Sequence, residues 1–203
     1  ENPLTPSYAM FTLTEPFTCE LEVKRSRFIA KAAPVDSPEG ALRYLEAVRE
    51  PDATHNVWAY KIGQQYRFSD DGEPSGTAGR PVLSAIEGQG LDGVMVVVAR
   101  YFGGVKLGAG GLVRVYSGAA AECLRLAPRR EVVPEVRARL LVPFELSNTL
   151  FHLLGGIKRE SEVYTEHGLE VIFQLEESKF AAFSQQVRDS SRGKARLKQI
   201  TED

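Results

Sequence analysis

The sequence predicts a mixed α+β protein of two domains, and three observations carry that expectation. The chain has 203 residues, room for one large domain or two small ones at roughly 100–200 residues each. Glycine is unevenly spread: 14 of the 18 precede residue 127 and four follow. Between the halves, Ala127-Pro128-Arg129-Arg130-Glu131-Val132-Val133-Pro134 carries two prolines and three charges, the composition of a boundary segment. Domains are therefore expected over 1–127 and 128–203.

In the first part, Glu20-Leu21-Glu22-Val23-Lys24 alternates with period two, as a half-buried strand does. Residues 27–35 form a second strand candidate. Asp36-Ser37-Pro38-Glu39 starts a helix with a capping side chain, an early proline and an acidic first turn. Ala41, Leu42, Leu45 and Val48 supply its apolar face. Residues 55–62 and 66–68 can pair as a hairpin around Gly63-Gln64-Gln65. The unbroken apolar run Val94 to Ala99 has the character of a central strand covered on both faces. An Ala-rich helix is expected over 112–126.

The second part has a regular rhythm: strand 136–142, helix 147–157 capped by Ser147 or Asn148, strand 161–165, a turn at His167-Gly168, strand 169–175, helix 178–190 and strand 195–200. The order β-α-β-β-α-β is that of the ferredoxin-like fold.

Composition excludes several classes. The chain is 43% hydrophobic and 26% charged, which is globular and not disordered or collagen-like. With 25 basic and 27 acidic residues the net charge is −2, so no overall field demands nucleic acid or an anionic membrane. Cys19 and Cys123 form no metal-spaced pair, and two free thiols suit a reducing cytoplasm. No apolar run approaches the ~18 residues of a membrane span. Residues 1–10 have neither a basic start nor an apolar stretch, so no secretory signal is expected.

Four segments can carry chemistry. Residues 68–81 crowd Asp70, Asp71 and Glu73 beside Gly72, Gly76 and Gly79. Such carboxylates can hold a hard cation or do acid–base work; equally, the segment can be a solvated turn that starts a helix at Arg80-Pro81. The calcium-loop template fails because the two Asp are adjacent. Residues 100–114 join a buried strand to a Gly-rich loop and a helix, with Arg100, Lys106 and Arg114 as cations. Free N–H groups there attract anions, yet Ala109-Gly110 replaces the Lys-Ser/Thr of a P-loop and Val113 stands where a dinucleotide fingerprint has its third Gly. The other use of these glycines is close helix-on-sheet packing. In His55-Asn56-Val57-Trp58-Ala59-Tyr60, His55 is a base or a hydrogen-bonded structural group, and Trp58 and Tyr60 are an aromatic platform or core. Arg188, Arg192, Lys194, Arg196 and Lys198 are opposed only by Asp189 between 188 and 199. They can grip a phosphate backbone or form a solvated helix end and edge strand.

Together these segments resemble the IMPACT family in its bacterial, YigZ-like branch. The match runs through Ser26-Arg27-Phe28-Ile29, His55 followed by Ala59-Tyr60, the run Phe68-Ser69-Asp70-Asp71-Gly72-Glu73-Pro74-Ser75-Gly76-Thr77-Ala78-Gly79, then Arg100-Tyr101-Phe102-Gly103-Gly104, Leu107-Gly108 and Gly110-Gly111-Leu112-Val113. It covers nearly all of the chain from about residue 12. Relatives often carry Cys two residues after the His; here that position is Val57. The resemblance implies a first domain like the second domain of a small-subunit ribosomal protein, an α/β sandwich, and a second like the ferredoxin-like fifth domain of elongation factor G. It also implies a link to translation, which eukaryotic relatives regulate in starvation by competing for an activator of an initiation-factor kinase.

The expected function is that of a cytoplasmic, non-enzymatic binding protein linked to translation regulation, acting through RNA, the ribosome or a ribosome-associated protein. The alternative is a metal- or phosphate-dependent enzyme. Its site would be formed by the acidic loop, His55 and the 103–111 loop. The candidate cleft residues are His55, Asp70, Asp71, Glu73, Thr77, Arg100, Tyr101, Gly103, Gly104, Lys106, Gly110, Gly111 and Arg114. The candidate nucleic-acid residues are Arg188, Arg192, Lys194, Arg196 and Lys198. A third possibility is that the motifs only hold an unusual turn. No cofactor, metal, substrate or oligomeric state follows from the residues.

Overall fold

The structure is a computed structural model in which residues 10–201 are described. It divides into two compact units, Glu1–Val132 and Val133–Asp203. The first unit contains β1 (Met10–Leu13), β2 (Phe17–Val23), β3 (Ser26–Pro34), α1 (Pro38–Val48), β4 (His55–Ile62), β5 (Gln65–Ser69), α2 (Gly79–Gly88), β6 (Val94–Tyr101), α3 (Gly108–Leu126) and β7 (Arg129–Val132). Five strands form an antiparallel sheet in the order β2-β3-β6-β4-β5.

The apolar run of β6 explains the layering. Val94, Val96 and Val98 join the core shared with α2 and α3, whereas Met95 and Val97 pack with Ala41 and Leu45 of α1. A strand covered on both faces has no need to alternate. Trp58 and Tyr60 of β4 are buried on the α1 side, so they are core and not an exposed platform. Ser37 caps α1 by accepting from the Gly40 N–H at 3.0 Å, with Pro38 at the first position, as the sequence pattern predicts.

The boundary differs from the expected one. Residues 129–132, read as linker, are strand β7, paired antiparallel with β1 from Met10↔Val132 to Leu13↔Arg129. The two prolines flank this strand instead of interrupting it, so its backbone groups remain free to pair. The division therefore falls after Val132 and not after residue 127.

The second unit contains β8 (Glu135–Val142), a 3₁₀ turn (Phe144–Leu146), α4 (Ser147–Leu153), β9 (Arg159–Thr165), β10 (Gly168–Glu176), a 3₁₀ turn (Glu177–Lys179), α5 (Phe180–Ser191) and β11 (Arg196–Ile200). The β-α-β-β-α-β order is the one the pattern predicts. Its sheet runs β11-β8-β10-β9, antiparallel throughout. Leu140, Val171, Phe173, Leu150 and Val187 meet in its core. Helix α4 is shorter than expected, and neither Ser147 nor Asn148 caps it: Leu146 holds the cap position, and the Ser147 hydroxyl donates back to the Phe144 carbonyl at 2.8 Å.

Candidate functional site

The acidic loop between β5 and α2 spends two of its three carboxylates on backbone. Asp70 Oδ1 accepts from the N–H groups of Ala78 and Gly79 at 3.2 and 2.8 Å, and Oδ2 accepts from Gly76 N–H at 3.1 Å. This is a helix cap supplied from a distance, with negative charge at the positive end of α2. Asp71 Oδ2 accepts from the Asn56 N–H at 2.6 Å, stitching the loop to β4. The Thr77 hydroxyl donates to the Pro74 carbonyl. Gly79 is needed sterically, since a Cβ there would lie 2.7–2.9 Å from Ser69 backbone atoms.

Glu73 is used differently. It is 8% exposed and Arg100 is 5% exposed. Arg100 Nη1 donates to both carboxylate oxygens at 2.9 Å. The Tyr116 hydroxyl, from α3, donates to Oε2 at 2.6 Å, and His55 Nε2 stands 3.1 Å from Oε1. His55 Nδ1 is 2.7 Å from the Asp71 carbonyl oxygen, so both ring nitrogens face acceptors. Four contacts occupy the roughly four lone-pair positions of a carboxylate. Burial first, and then the Glu73 carboxylate beside it, pushes the Tyr116 hydroxyl well above the usual phenol range. One buried cluster thus ties β4, the acidic loop, β6 and α3 together.

Beside the cluster is a cavity of about 420 Å³, whose lining includes Thr54, His55, Glu73, Arg100, Phe102 and Lys106 and the start of α3 from Leu107 to Ala109. The three sequence segments therefore converge: His55, Glu73, Arg100 and Lys106 border one space. The other candidates do not line it. Asp70, Asp71 and Thr77 are turned to backbone, and the Tyr101 hydroxyl donates to Glu50 Oε1 at 2.8 Å. Gly104, Gly110 and Arg114 are exposed and Gly111 is half-buried. Gly103 serves packing, because a Cβ there would sit 2.0 Å from the Arg25 carbonyl oxygen. Among the described residues no group of three or more His, Cys, Asp or Glu side chains is arranged to hold a metal ion.

In the second unit, Arg188, Arg192, Lys194, Arg196 and Lys198 are all exposed. Arg188 lies in the last turn of α5, Arg192 takes a left-handed conformation just after the helix (φ 53°), and Arg196 and Lys198 lie on the edge strand β11. Arg188, Arg196 and Lys198 join Arg139 in lining a groove of about 540 Å³. Lys194 and Arg196 line an adjoining one of about 410 Å³ with Leu141, Pro143 and His167.

Sequence reasoning missed Tyr116, Thr54 and Arg139. Tyr116 had a signal: a single phenol in an Ala-rich apolar helix face needs a buried partner. Arg139 reaches the basic groove only because β8 pairs with β11, Lys198 opposite Arg139.

Comparison with known proteins agrees with this frame. The Impact N-terminal domain family matches residues 24–124. The chain is 54% identical over 154 residues to the IMPACT family member in pol 5'region of Thermus thermophilus, covering 75% of this chain and 86% of that protein. It is 37% identical over 196 residues to IMPACT family member YigZ of Escherichia coli (strain K12), covering 92% of this chain and 96% of the relative. Protein IMPACT of Mus musculus is 39% identical over 93 residues, 29% of its own length. A solved structure titled as that of a hypothetical protein superposes with a TM-score of 0.74 at 36% identity, over 96% of this chain and 98% of that one. The chain belongs to the IMPACT family.

Proposed function

We propose that the chain is a cytoplasmic, non-enzymatic binding protein linked to translation regulation, acting through RNA, the ribosome or a ribosome-associated protein. The observation that carries this reading is the basic groove of the second unit. A chain of net charge −2 gathers Arg139, Arg188, Arg196 and Lys198 along one groove, and clustering of cations, more than total charge, makes a phosphate footprint. The sheet order β11-β8-β10-β9 supports a ferredoxin-like reading of this unit, in keeping with its resemblance to the fifth domain of elongation factor G. Family membership supports the link to translation.

Co-sedimentation of the full chain with ribosomes across a salt series tests it. Binding that weakens steeply with salt is the expected result; no binding at low salt, in the presence of ribosome-associated proteins, sinks it.

The enzyme reading retains one favourable observation, the convergence of His55, Glu73, Arg100 and Lys106 on one cavity. Against it stands the saturation of Glu73, which leaves no lone pair to take a substrate proton. Hydrolysis of phosphate esters that is lost in His55→Ala, with the fold intact, would revive it.

A further inference from the structure

The cavity beside the Glu73 cluster, about 420 Å³, belongs to the first unit and shares no residue with the basic groove. Its size is that of a site for a small organic molecule. Pro74, Phe102, Leu107, Ala109 and Leu112 give it apolar walls. Phe102 is 48% exposed, so part of its ring stays in water beside a concave space that could cover it.

The polar side chains of the lining offer donors and no free acceptor. All the lone-pair positions of Glu73 are taken by Arg100, Tyr116 and His55. Both ring nitrogens of His55 are occupied, by the Asp71 carbonyl and by Glu73. Arg100 is nine-tenths buried and makes four hydrogen bonds, to Glu73 and to the Ser26 hydroxyl, one fewer than a guanidinium can donate. The Thr54 hydroxyl accepts from the Phe102 N–H at 3.0 Å and keeps its own proton to give. Lys106 makes no hydrogen bond or ion pair among the described residues. The start of α3 enters the lining at Gly108 and Ala109 with no capping side chain and no acid in its first turn, whereas α2 has Asp70.

We infer that this cavity binds a small organic carboxylate, with the carboxylate toward Lys106 and Thr54 and an apolar body between Phe102, Pro74 and Leu112. A group that accepts on every face complements a lining that only donates. Charge sets the ligand as a monoanion: Glu73 and Arg100 offset each other, which leaves Lys106 as the cation without an acid. A phosphate dianion would meet Glu73 in the same space, and the apolar walls could not solvate its remaining oxygens. This inference is independent of the RNA reading of the second unit.

The test is amide-shift NMR on the ¹⁵N-labelled full chain, titrated separately with 4-phenylbutyrate, decanoate, indole-3-acetate, 4-phenylbutyramide and inorganic phosphate. At least one carboxylate is expected to saturate with a Kd of about 1 mM or tighter, shifting the amides of Thr54, Phe102, Gly108 and Ala109. 4-Phenylbutyramide, with the same body as 4-phenylbutyrate and no charge, should bind about 10-fold more weakly than that carboxylate. Lys106→Ala should weaken carboxylate binding about 5-fold, and Lys106→Arg should retain it. Phe102→Ala should weaken it by a similar factor. These variants should melt close to the parent, because both side chains are largely exposed. Equal binding of 4-phenylbutyrate and its amide would overturn the inference in favour of a purely apolar site. Tighter binding of phosphate than of any carboxylate would overturn it in favour of the enzyme reading. Shifts confined to residues away from the cavity, or none with any carboxylate at about 10 mM, would overturn it outright.

Discussion

Arg100 and Glu73 form an ion pair in the interior of the first unit, with the single guanidinium nitrogen Nη1 standing 2.9 Å from both carboxylate oxygens. The pair joins the end of β6 to the acidic loop, and Tyr116 and His55 complete the ring around the carboxylate. This cluster explains why the family-like motifs recur at three separated places in the chain: each place supplies one partner of the same buried charge.

Removing one partner strands the other. Arg100→Ala is expected to cost about 3–5 kcal/mol of stability, since a buried charge loses its counter-ion. Glu73→Ala should cost a similar amount. The double variant should lose less than the sum of the two single losses, a coupling that a denaturant-based double-mutant cycle reads directly. Additive losses would show that the two groups do not act as a pair.

Alkaline pH should destabilise the first unit through Cys123 and Tyr116. Burial, reinforced by the neighbouring Cys19 thiol, pushes the Cys123 thiol up to about 12 from an ordinary value of 9.0. Tyr116 is displaced upward from 10.0. Both folded-state values are raised, so their contribution is fully present below pH 9 and is lost as pH climbs through the raised values. Each group adds a slope of up to about 1.4 kcal/mol per pH unit. Denaturant titrations from pH 8 to 11 should show falling stability, with a shallower fall in Cys123→Ala. The same burial predicts that iodoacetamide at pH 8 leaves Cys123 unmodified until the protein unfolds.

The β2–β3 turn is strained. Lys24 and Arg25 both have positive φ, 48° and 68°, in a two-residue hairpin closed by Val23↔Ser26. This geometry prefers Asn-Gly, because a Cβ is penalised in the left-handed region. Lys24→Asn combined with Arg25→Gly should therefore raise stability by about 1–2 kcal/mol, seen as a higher melting temperature. An unchanged or lower melting temperature would show that the two side chains repay the strain.

Gly103→Ala should act in the opposite direction at the same place. Its Cβ would meet the Arg25 carbonyl oxygen at 2.0 Å, a contact between two backbone segments that no rotamer relieves. A loss of about 1–3 kcal/mol is expected in thermal unfolding. Little change would mean that the 103–104 loop shifts freely away from the hairpin.

Asp70→Ala should remove the cap of α2 and leave the N–H groups of Gly76, Ala78 and Gly79 without their acceptor. The expected cost is about 1–2 kcal/mol. Amide exchange should quicken in the first turn of α2, with the acidic loop loosening around it; unchanged protection would show that solvent replaces the carboxylate without cost.

What the sequence determined by itself was local. Ser37-Pro38 announced α1 because capping and a fixed proline φ act within one turn. The run from Val94 to Ala99 announced a central strand because burial on both faces removes alternation. The second unit's element order was legible because each segment has its own period and its own turn. What only the tertiary structure decided was partnership. Residues 129–132 became β7 because Met10–Leu13 presented a strand to pair with, and Asp70 became a helix cap because the loop folds it back over α2. His55, Glu73, Arg100 and Tyr116 lie far apart in the chain and carry no shared pattern. They meet because the sheet order β2-β3-β6-β4-β5 and the packing of α3 bring them to one place. Hydrogen bonds and ion pairs depend on distance in space, and periodicity records only which face of its own element a residue occupies.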